Sequence, residues 1–466
     1  MSESVASAAP GARLVNLELV KWHLVASAAF LAVSLVGGLA YAFQFHNLYP
    51  FEGIELLSPG RVRMVHTNMA AYGFIANAFI AGILFAIPRL TRQPILSDAL
   101  GWFIFGAWQL FMVLTILGLL GGYAQAIEWG ETPIFVDPLI LVGLVLLVVN
   151  MSVPIFKSAE TGLYVSLWYF LAAFGWTGLV YFMGNYVPQF WVPGTAGAAI
   201  TGLFIHDLVG LFVTPLGWGL MYFFVPLLLR KPIWSHALSL IGFWGIAFFY
   251  PMQGVHHFLF SPIPMYAQYG AVVATIAIEA VVFTVLVNFF ATLHGRSDAV
   301  RSNLAIRWFY TGMVMYGITC LQCAFQVTLT FQKIIHFTDW VVGHAHMVMF
   351  GVFGFWIFGM FVELWPRAVG HRWAHPRLLT AHYWLTFTGL TLMVIDLTAA
   401  GLVQGYLWAN LAPWAESLIA SAPFWWTRSL AGLIIIAGQV LFLWELWATA
   451  RGPVVGAEFA AVGEAA

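Results

Sequence analysis

Long apolar stretches separated by short polar breaks recur along the whole chain. Each stretch has about 20 residues or more, the length that an α-helix needs to cross the hydrocarbon core of a bilayer. Proline, glycine, asparagine and charged residues lie between the stretches. The pattern predicts twelve membrane spans, at 19–43, 62–88, 98–124, 135–156, 160–184, 197–229, 235–258, 266–293, 304–331, 338–366, 376–404 and 424–450.

The gaps between the predicted spans are too short for a second folded domain. The longest gap, 405–423, is amphipathic and is predicted to be an external loop. We therefore expect an all-α polytopic membrane protein with an N-terminal tail at 1–18, a twelve-helix core at 19–450 and a C-terminal tail at 451–466. The first fifteen residues lack the apolar core of a secretory signal.

Composition and charge agree with a membrane protein. Only 8% of the residues are charged and 62% are hydrophobic, whereas soluble domains carry about 25% charged residues. The net charge of −1 gives no indication of nucleic-acid binding. If both termini are cytoplasmic, 14 of the 18 Lys and Arg residues fall on the inner side and 4 on the outer side. This positive-inside bias predicts twelve spans with both tails in the cytoplasm.

Six of the fourteen histidines fall at similar depth in the outer halves of four predicted spans. A polar group inside a bilayer must be hydrogen-bonded or functional, so one such histidine would need little explanation. Six at one level predict ligands of metals or cofactors. They are His66, His206, His256, His257, His344 and His346.

The spacing of His344 and His346 indicates what they bind. Each helical residue turns by about 100°, so the two imidazoles point in opposite directions and suit two flat cofactors on either side of one helix. Imidazole is a common axial ligand of haem iron. His66 could complete one of these haems, which would then be six-coordinate and suited to electron transfer, while the other haem keeps an open face.

The remaining three histidines predict a non-haem metal site. His206 lies on one span, and the adjacent His256 and His257 lie near the outer end of the next. Neutral imidazoles suit copper or another borderline metal. Adjacent histidines on a regular helix diverge by about 100°, and Gly254 permits the irregular helix end that lets both reach one ion.

Four motifs carry a resemblance to the catalytic subunit of the haem–copper oxidase superfamily: RMVHTN (63–68), HDLVGLFVT (206–214), FFYPMQGVHH (248–257) and HFTDWVVGHAH (336–346). The chain is most similar to the cbb-type (C-family) oxidases and the related nitric oxide reductases. The resemblance implies two b-type haems, a low-spin one on His66 and His346 and a high-spin one on His344. It also implies copper, or alternatively iron, on His206, His256 and His257, and a bacterial or archaeal cell (inner) membrane.

Tyr250 favours oxygen over nitric oxide as the substrate. It stands seven residues before His257, on the same helix face, and in C-family oxidases such a tyrosine is bonded to the histidine corresponding to His206. Cleaving O–O in one step needs four electrons and a proton, and a phenol can supply one electron and the proton. The resemblance thus implies a respiratory terminal oxidase that reduces O2 to water, coupled to proton uptake.

Two other functions remain open. A nitric oxide reductase resembling this chain would carry a glutamate at Gly210, but Glu279 lies where such reductases have a second one. Gln322 stands in place of a glutamate typical of C-family oxidases, and Asp207 in place of an amide. A haem-binding electron-transfer protein without gas chemistry is the third candidate, although it would have no use for the three-histidine metal site.

The resemblance also implies accessory residues, here taken as expectations. Hydroxyls on the inner halves of two spans suit a proton path, outer arginines suit haem propionates because they pair bidentately with carboxylates, and a carboxylate suits calcium. The expected proton path is Thr214, Tyr222 and Ser239; the propionate region is Arg61, Arg63, Asp339 and Trp340; the calcium ligand is Glu128.

The chain carries no thiolate copper motif and no haem c attachment motif. Its two cysteines, Cys320 and Cys323, are followed by Ala324 rather than by the histidine of a haem c site,. Electrons are therefore expected from another subunit on the outer side, bearing haem c or a dinuclear copper centre.

Overall fold

The computed structural model describes residues 14–160 and 162–452, and every regular element within these ranges is helical. Eleven helices are each long and apolar enough to cross a membrane, and a bent helix pair makes a twelfth span. The spans are α1 (Leu17–Gln44), α2 (Pro59–Thr91), α3 (Asp98–Leu120), α4 (Asp137–Phe156), α5 (Val165–Phe190), α6 (Gly194–Leu229), α7 (His236–Phe258), α8 (Met265–Leu293), α9 (Leu304–Gln326), α10 (Asp339–Val369), α11 (Pro376–Ala409) and α12 (Trp414–Ala450). The predicted tails lie largely outside the described residues.

Three helices form the centre of the molecule. Of the most apolar window in α2, α6 and α10, 89%, 94% and 78% is buried, against 33–44% in the eight other spans made by a single helix. A helix that is apolar all round is expected to be enclosed by others. Four of the six candidate histidines lie on these three central helices.

Each central helix contains a π-helical segment close to a candidate histidine. The segments are Met69–Ile75 in α2, Leu208–Val213 in α6 and Met347–Gly354 in α10. They begin within three residues of His66, His206 and His346. An inserted π turn changes the rotation of the two halves of a helix relative to each other, and such turns are frequent at functional sites.

Glycines allow α6 and α7 to meet backbone to backbone. A Cβ atom on Gly254 would lie 2.5 Å from the backbone nitrogen of Leu203, and one on Gly202 would lie 2.9 Å from the carbonyl oxygen of Gly254. Any larger residue at either position would separate the two helices. This contact brings the C-terminal end of α7 alongside the histidine of α6.

The predicted external loop at 405–423 is wrong. The helix α11 continues to Ala409 and α12 begins at Trp414, so only 410–413 connects them. Pro413 precedes the first turn of α12, where a proline costs little, so it does not prevent a helix in this stretch. Pro423 is accommodated inside α12.

Other predicted ends also shift. The helix α5 runs to Phe190 with Pro188 inside its last turn, although Pro188 was expected to end the span. The predicted ninth span divides, because α9 ends at Gln326 and a short helix, Leu329–Ile335, follows at 103° to it. These ends depend on contacts with neighbouring helices.

Candidate metal and haem centre

Three imidazoles from α6 and α7 converge on one point. A possible ligand atom on each of His206, His256 and His257 lies within 4.8 Å of the others. The helix α7 ends in two 3-10 turns, Tyr250–Met252 and Gly254–Phe258. The second turn directs both adjacent histidines toward His206. In the part of the chain that the structure describes, this is the only group of three or more metal-ligating side chains.

Hydrogen bonding leaves one imidazole nitrogen of His206 and one of His256 free to bind a metal. The hydroxyl of Thr275 on α8 donates to the carbonyl of Ala271 at 2.7 Å. It therefore accepts from Nδ1 of His256, also at 2.7 Å, which leaves Nε2 of His256 as the ligand atom. Nε2 of His206 is buried with no hydrogen-bond partner among the described residues. These free nitrogens fit a bound metal ion better than a purely structural cluster.

Tyr250 lies against the same cluster. Its ring centroid is 5.3 Å from that of His206, and the two planes are inclined by 38°. Its hydroxyl faces the Thr214 side chain of α6. Among the predicted proton-path residues, Thr214 is thus brought beside the phenol.

The other two predicted proton-path residues are not hydrogen-bonded to Thr214 among the described residues. The Ser239 hydroxyl donates to the carbonyl of His236 at 2.7 Å. The hydroxyl of Tyr222 accepts from the Asn288 amide at 3.4 Å. Each of these hydroxyls is occupied locally, and the structure brings neither into contact with Tyr250.

A second pair of histidines lies between α2 and α10. The ring centroids of His66 and His346 are 6.2 Å apart with planes inclined by 26°. Each Nδ1 is bonded to a backbone carbonyl, that of Ser34 at 2.7 Å and that of Val342 at 2.8 Å respectively. Both Nε2 atoms are therefore free. The spacing leaves room for one metal ion between the rings, since metal–imidazole bonds are ~2 Å long.

His344 is oriented by side chains of α9. Its Nδ1 lies 3.1 Å from Oε1 of Gln322. Its Nε2 has only long contacts, 3.3 Å to the Gln326 amide nitrogen and 3.6 Å to Sγ of Cys323, so it remains available as a ligand. His344 lies within electrostatic range of the three-histidine cluster, whereas His346, two residues on, faces His66.

The predicted outer arginines have protein partners. Arg61 donates to the carbonyl of Leu120 at 2.9 Å and pairs with Glu55 at 3.3 Å. Arg63 lies 3.7 Å from Glu131. Glu131 is buried in the loop between α3 and α4, and burial raises the pKa of its carboxyl, although the Asn68 amide at 2.9 Å favours the charged form.

Glu128 is exposed in the same loop as Glu131 and belongs to no group of three metal-ligating side chains within the described ranges. The loop residue that sequence reasoning missed is Glu131, which was taken only as part of a break between spans. The feature that could have identified Glu131 was its carboxylate, which lies near the arginines predicted to bind propionates.

Asp339 and Trp340 lie in a polar cluster at the start of α10. Asp339 accepts from the Gln404 amide at 2.7 Å and from the Trp425 indole at 2.9 Å. Trp340 donates to the Gln326 side chain at 3.3 Å. Arg428 of α12 lies 4.0 Å from Asp339, is only 8% exposed, and is within electrostatic range of His66 and His346.

Sequence reasoning counted Arg428 only as an outer basic residue. Its position inside an apolar helix was the signal, because a buried arginine in a membrane span is by default functional or paired. Its nearness to His66 and His346 places a permanent positive charge beside the second pair of histidines.

Glu279 lies at a break in α8, directly after Ile278, where the helix is interrupted. Its Oε1 is buried without a hydrogen-bond partner among the described residues. The carboxyl lines an open groove of about 250 Å³ between α8 and α9, together with Gly317 and Leu321. It is an electrostatic neighbour of Tyr250.

This fold, with two sets of histidines inside a helical membrane core, defines a membrane-embedded redox metalloprotein. The model of the family "Cytochrome C and Quinol oxidase polypeptide I" matches residues 18–434, and the chain belongs to this family. It is 27% identical over 429 residues to "Cytochrome c oxidase subunit 1" of Rhodobacter capsulatus, covering 88% of this chain and 81% of that protein.

Two further comparisons agree. The chain is 27% identical over 431 residues to "Cbb3-type cytochrome c oxidase subunit CcoN1" of Stutzerimonas stutzeri, covering 89% of this chain and 91% of that protein. A solved structure of a haem–copper terminal oxidase dimer matches with a TM-score of 0.77 at 13% identity, covering 94% of this chain and 85% of that one. At this identity the match shows the fold.

The expected family and enzyme class are therefore confirmed. The chain is subunit I, the catalytic subunit, of a haem–copper terminal oxidase, an oxidoreductase of the cytochrome c oxidase type. Membership implies haem and copper as cofactors and a multi-span subunit of a bacterial respiratory membrane.

Proposed function

We propose that this subunit reduces O2 to water at a centre formed by a high-spin haem and copper, with electrons passed through a low-spin haem and with proton uptake. The observation that carries the proposal is the Tyr250 ring 5.3 Å from the His206 ring, at the edge of the three-histidine cluster. A phenol at this place can give the reacting centre both an electron and a proton.

The histidines divide into ligand sets by what their rings face. His206, His256 and His257 hold copper; His344 holds the high-spin haem, and His66 with His346 hold the low-spin haem, both haems being of b type. A haem held by both His66 and His346 would be closed to a gas and would serve electron transfer. When bound at these residues, haem iron and copper supply the gas-binding positions and the remaining electrons for O–O cleavage.

The protein's own groups orient these ligands and handle the proton. The Thr275 hydroxyl and the carbonyls of Ser34 and Val342 each hold an Nδ1–H, which fixes the imidazole rotation,. Tyr250 holds a proton at its hydroxyl and releases it toward the cluster. Thr214, beside that hydroxyl, returns a proton to it, with Tyr222 and Ser239 further along an inward path from the cytoplasm.

The outer ends of α2 and α10 form the propionate region. Arg61, Arg63, Asp339 and Trp340 lie there, and the buried Arg428 adds a cation within electrostatic range of His66 and His346. A guanidinium suits a carboxylate bidentately. Glu128 contributes to a calcium site at this surface.

The topology completes the proposal. Both termini face the cytoplasm, with tails at 1–18 and 451–466 and the catalytic core at 19–450, in the inner membrane of a bacterial or archaeal cell. The electron donor is a subunit on the outer side that carries haem c or a dinuclear copper centre.

A nitric oxide reductase is the second candidate, and Glu279 favours it. This carboxyl is inside the membrane, has an unpartnered oxygen and lies near Tyr250. In that case iron, rather than copper, occupies the three-histidine site and two NO molecules give N2O.

One experiment separates the two candidates. The purified complex is assayed with O2 and with NO as sole oxidants, and its copper, non-haem iron and haem are quantified. We expect O2 turnover that far exceeds NO turnover, with one copper for each high-spin haem. Rapid NO turnover with non-haem iron and no copper would reverse the assignment, and absence of any non-haem metal would remove gas chemistry altogether.

A further inference from the structure

Gly210 lies in α6, between His206 and Thr214, and the Tyr250 ring occupies the space of its missing side chain. A Cβ atom at this position would stand 2.8 Å from both Cε1 and Cγ of Tyr250, and closer still to Cδ1. Cβ atoms essentially never approach another atom within 3.0 Å. A side chain at 210 and the present position of the phenol therefore exclude each other.

Tyr250 contacts α6 at three successive levels. Its ring lies beside the His206 ring, over Gly210, and its hydroxyl faces Thr214. These three contacts, made across the π segment Leu208–Val213, place the phenol along a single strip of α6. The residue between the other two contacts, Gly210, must lack a side chain, because otherwise the ring could not contact His206 and Thr214 at the same time.

The backbone of Tyr250 cannot move to relieve a collision. Its N–H donates to the carbonyl of Ile246, and its own carbonyl accepts from the N–H of Gln253 at 3.0 Å. Pro251 follows directly and restricts the chain further. We therefore expect an added methyl group at 210 to turn the Tyr250 side chain away from α6, which also moves it away from His206.

We propose that Gly210 is a positioning residue that determines whether the phenol can stand at the three-histidine centre. This inference rests on the proposed function, since it assigns the reduction of O2 to the phenol that Gly210 admits. A side chain at 210 would abolish that reaction while leaving every predicted metal ligand in the chain unchanged.

The test is a double-mutant cycle in the purified complex with Gly210→Ala, Tyr250→Ala and the double variant. In the parent, Gly210→Ala should lower the thermal midpoint of haem release. It should also slow O2 turnover about 100-fold, since positioned proton transfer contributes on the order of 10²–10⁴. In the Tyr250→Ala background the methyl group enters space that the ring has left, so the midpoint should stay equal or rise and turnover should fall no further.

The matched control is Gly219→Ala, two turns further along α6. Its Cβ would lie 2.6 Å from Cε1 of Phe170 and does not contact Tyr250. It should lower the midpoint equally in both backgrounds. Equal destabilisation by Gly210→Ala in both backgrounds, or no effect of Gly210→Ala in the parent, would overturn the inference.

The failure of this inference and that of the proposed function are distinguishable. The thermal cycle needs no gas, so it tests the Gly210–Tyr250 geometry whichever substrate the parent enzyme reduces. The gas turnover and metal content of the parent test the proposed function without any change at Gly210.

Discussion

A single hydroxyl on α8 decides which nitrogen of His256 is free to bind a metal. The Thr275 hydroxyl gives its proton to Ala271 and so accepts from Nδ1 of His256 at 2.7 Å. The variant Thr275→Val keeps the shape and removes this acceptor. We expect about 10–100-fold weaker copper retention, measured as copper per haem after dialysis against a chelator.

Thr284→Val, on the same helix, provides the control, because the Thr284 hydroxyl bonds only to the Val281 carbonyl of its own turn. Copper retention in this variant should equal that of the parent. Full copper occupancy in Thr275→Val after the same dialysis would show that the threonine does not orient the ligand.

A glycine on α1 leaves room for the imidazole of His66. A Cβ atom on Gly38 would stand 2.7 Å from both Cε1 and Nδ1 of that ring. Overpacking of this kind costs ~1–3 kcal/mol, and here we expect it to turn the ring and weaken one axial bond. Gly38→Ala should lose the low-spin haem signal in optical and electron paramagnetic resonance spectra.

Gly432→Ala is the comparison for that variant, since its Cβ would meet nothing closer than 3.8 Å. It should keep the full low-spin signal. An unchanged signal in Gly38→Ala would mean that His66 is not an axial ligand, or that α1 yields without cost.

The candidate histidines could be found from the sequence because their type and their depth in the spans are both readable there. The groups that orient them could not. Thr275 is nineteen residues from His256 and on another helix, and Gln326 and Arg428 meet the site only after α9 and α12 have packed. Gly210 was noted only as the place of a reductase glutamate, and its contact with the Tyr250 ring could not be read from the sequence.

At the scale of the elements, hydropathy predicted twelve spans, because a helix that crosses the bilayer needs about 20 apolar residues that face lipid or other helices. The positions of their ends were less predictable. Pro188 and Pro423 are tolerated inside helices, since neighbouring groups in a bundle can satisfy the freed carbonyls. The 103° bend after α9 has no clear signal in an apolar stretch.

At the scale of the whole molecule, the distribution of Lys and Arg makes the orientation testable. Leu411 is 90% exposed in the loop between α11 and α12, on the side predicted to be external. A Leu411→Cys variant should react with a membrane-impermeant maleimide in intact spheroplasts, whereas Ser297→Cys should react only after permeabilisation. The parent is a suitable background because both native cysteines lie inside α9, and the opposite labelling pattern would invert the topology.

His344 and His346 lie on the same turn of α10, with only Ala345 between them. Any tilt, slide or rotation of α10 there displaces both imidazoles at once. In the function proposed above, the oxygen-reducing centre and its electron relay are therefore held by the same helix, so a movement of this helix would change both. Independent adjustment has to come from the surrounding helices: α1 and α2 for one, α6, α7 and α9 for the other.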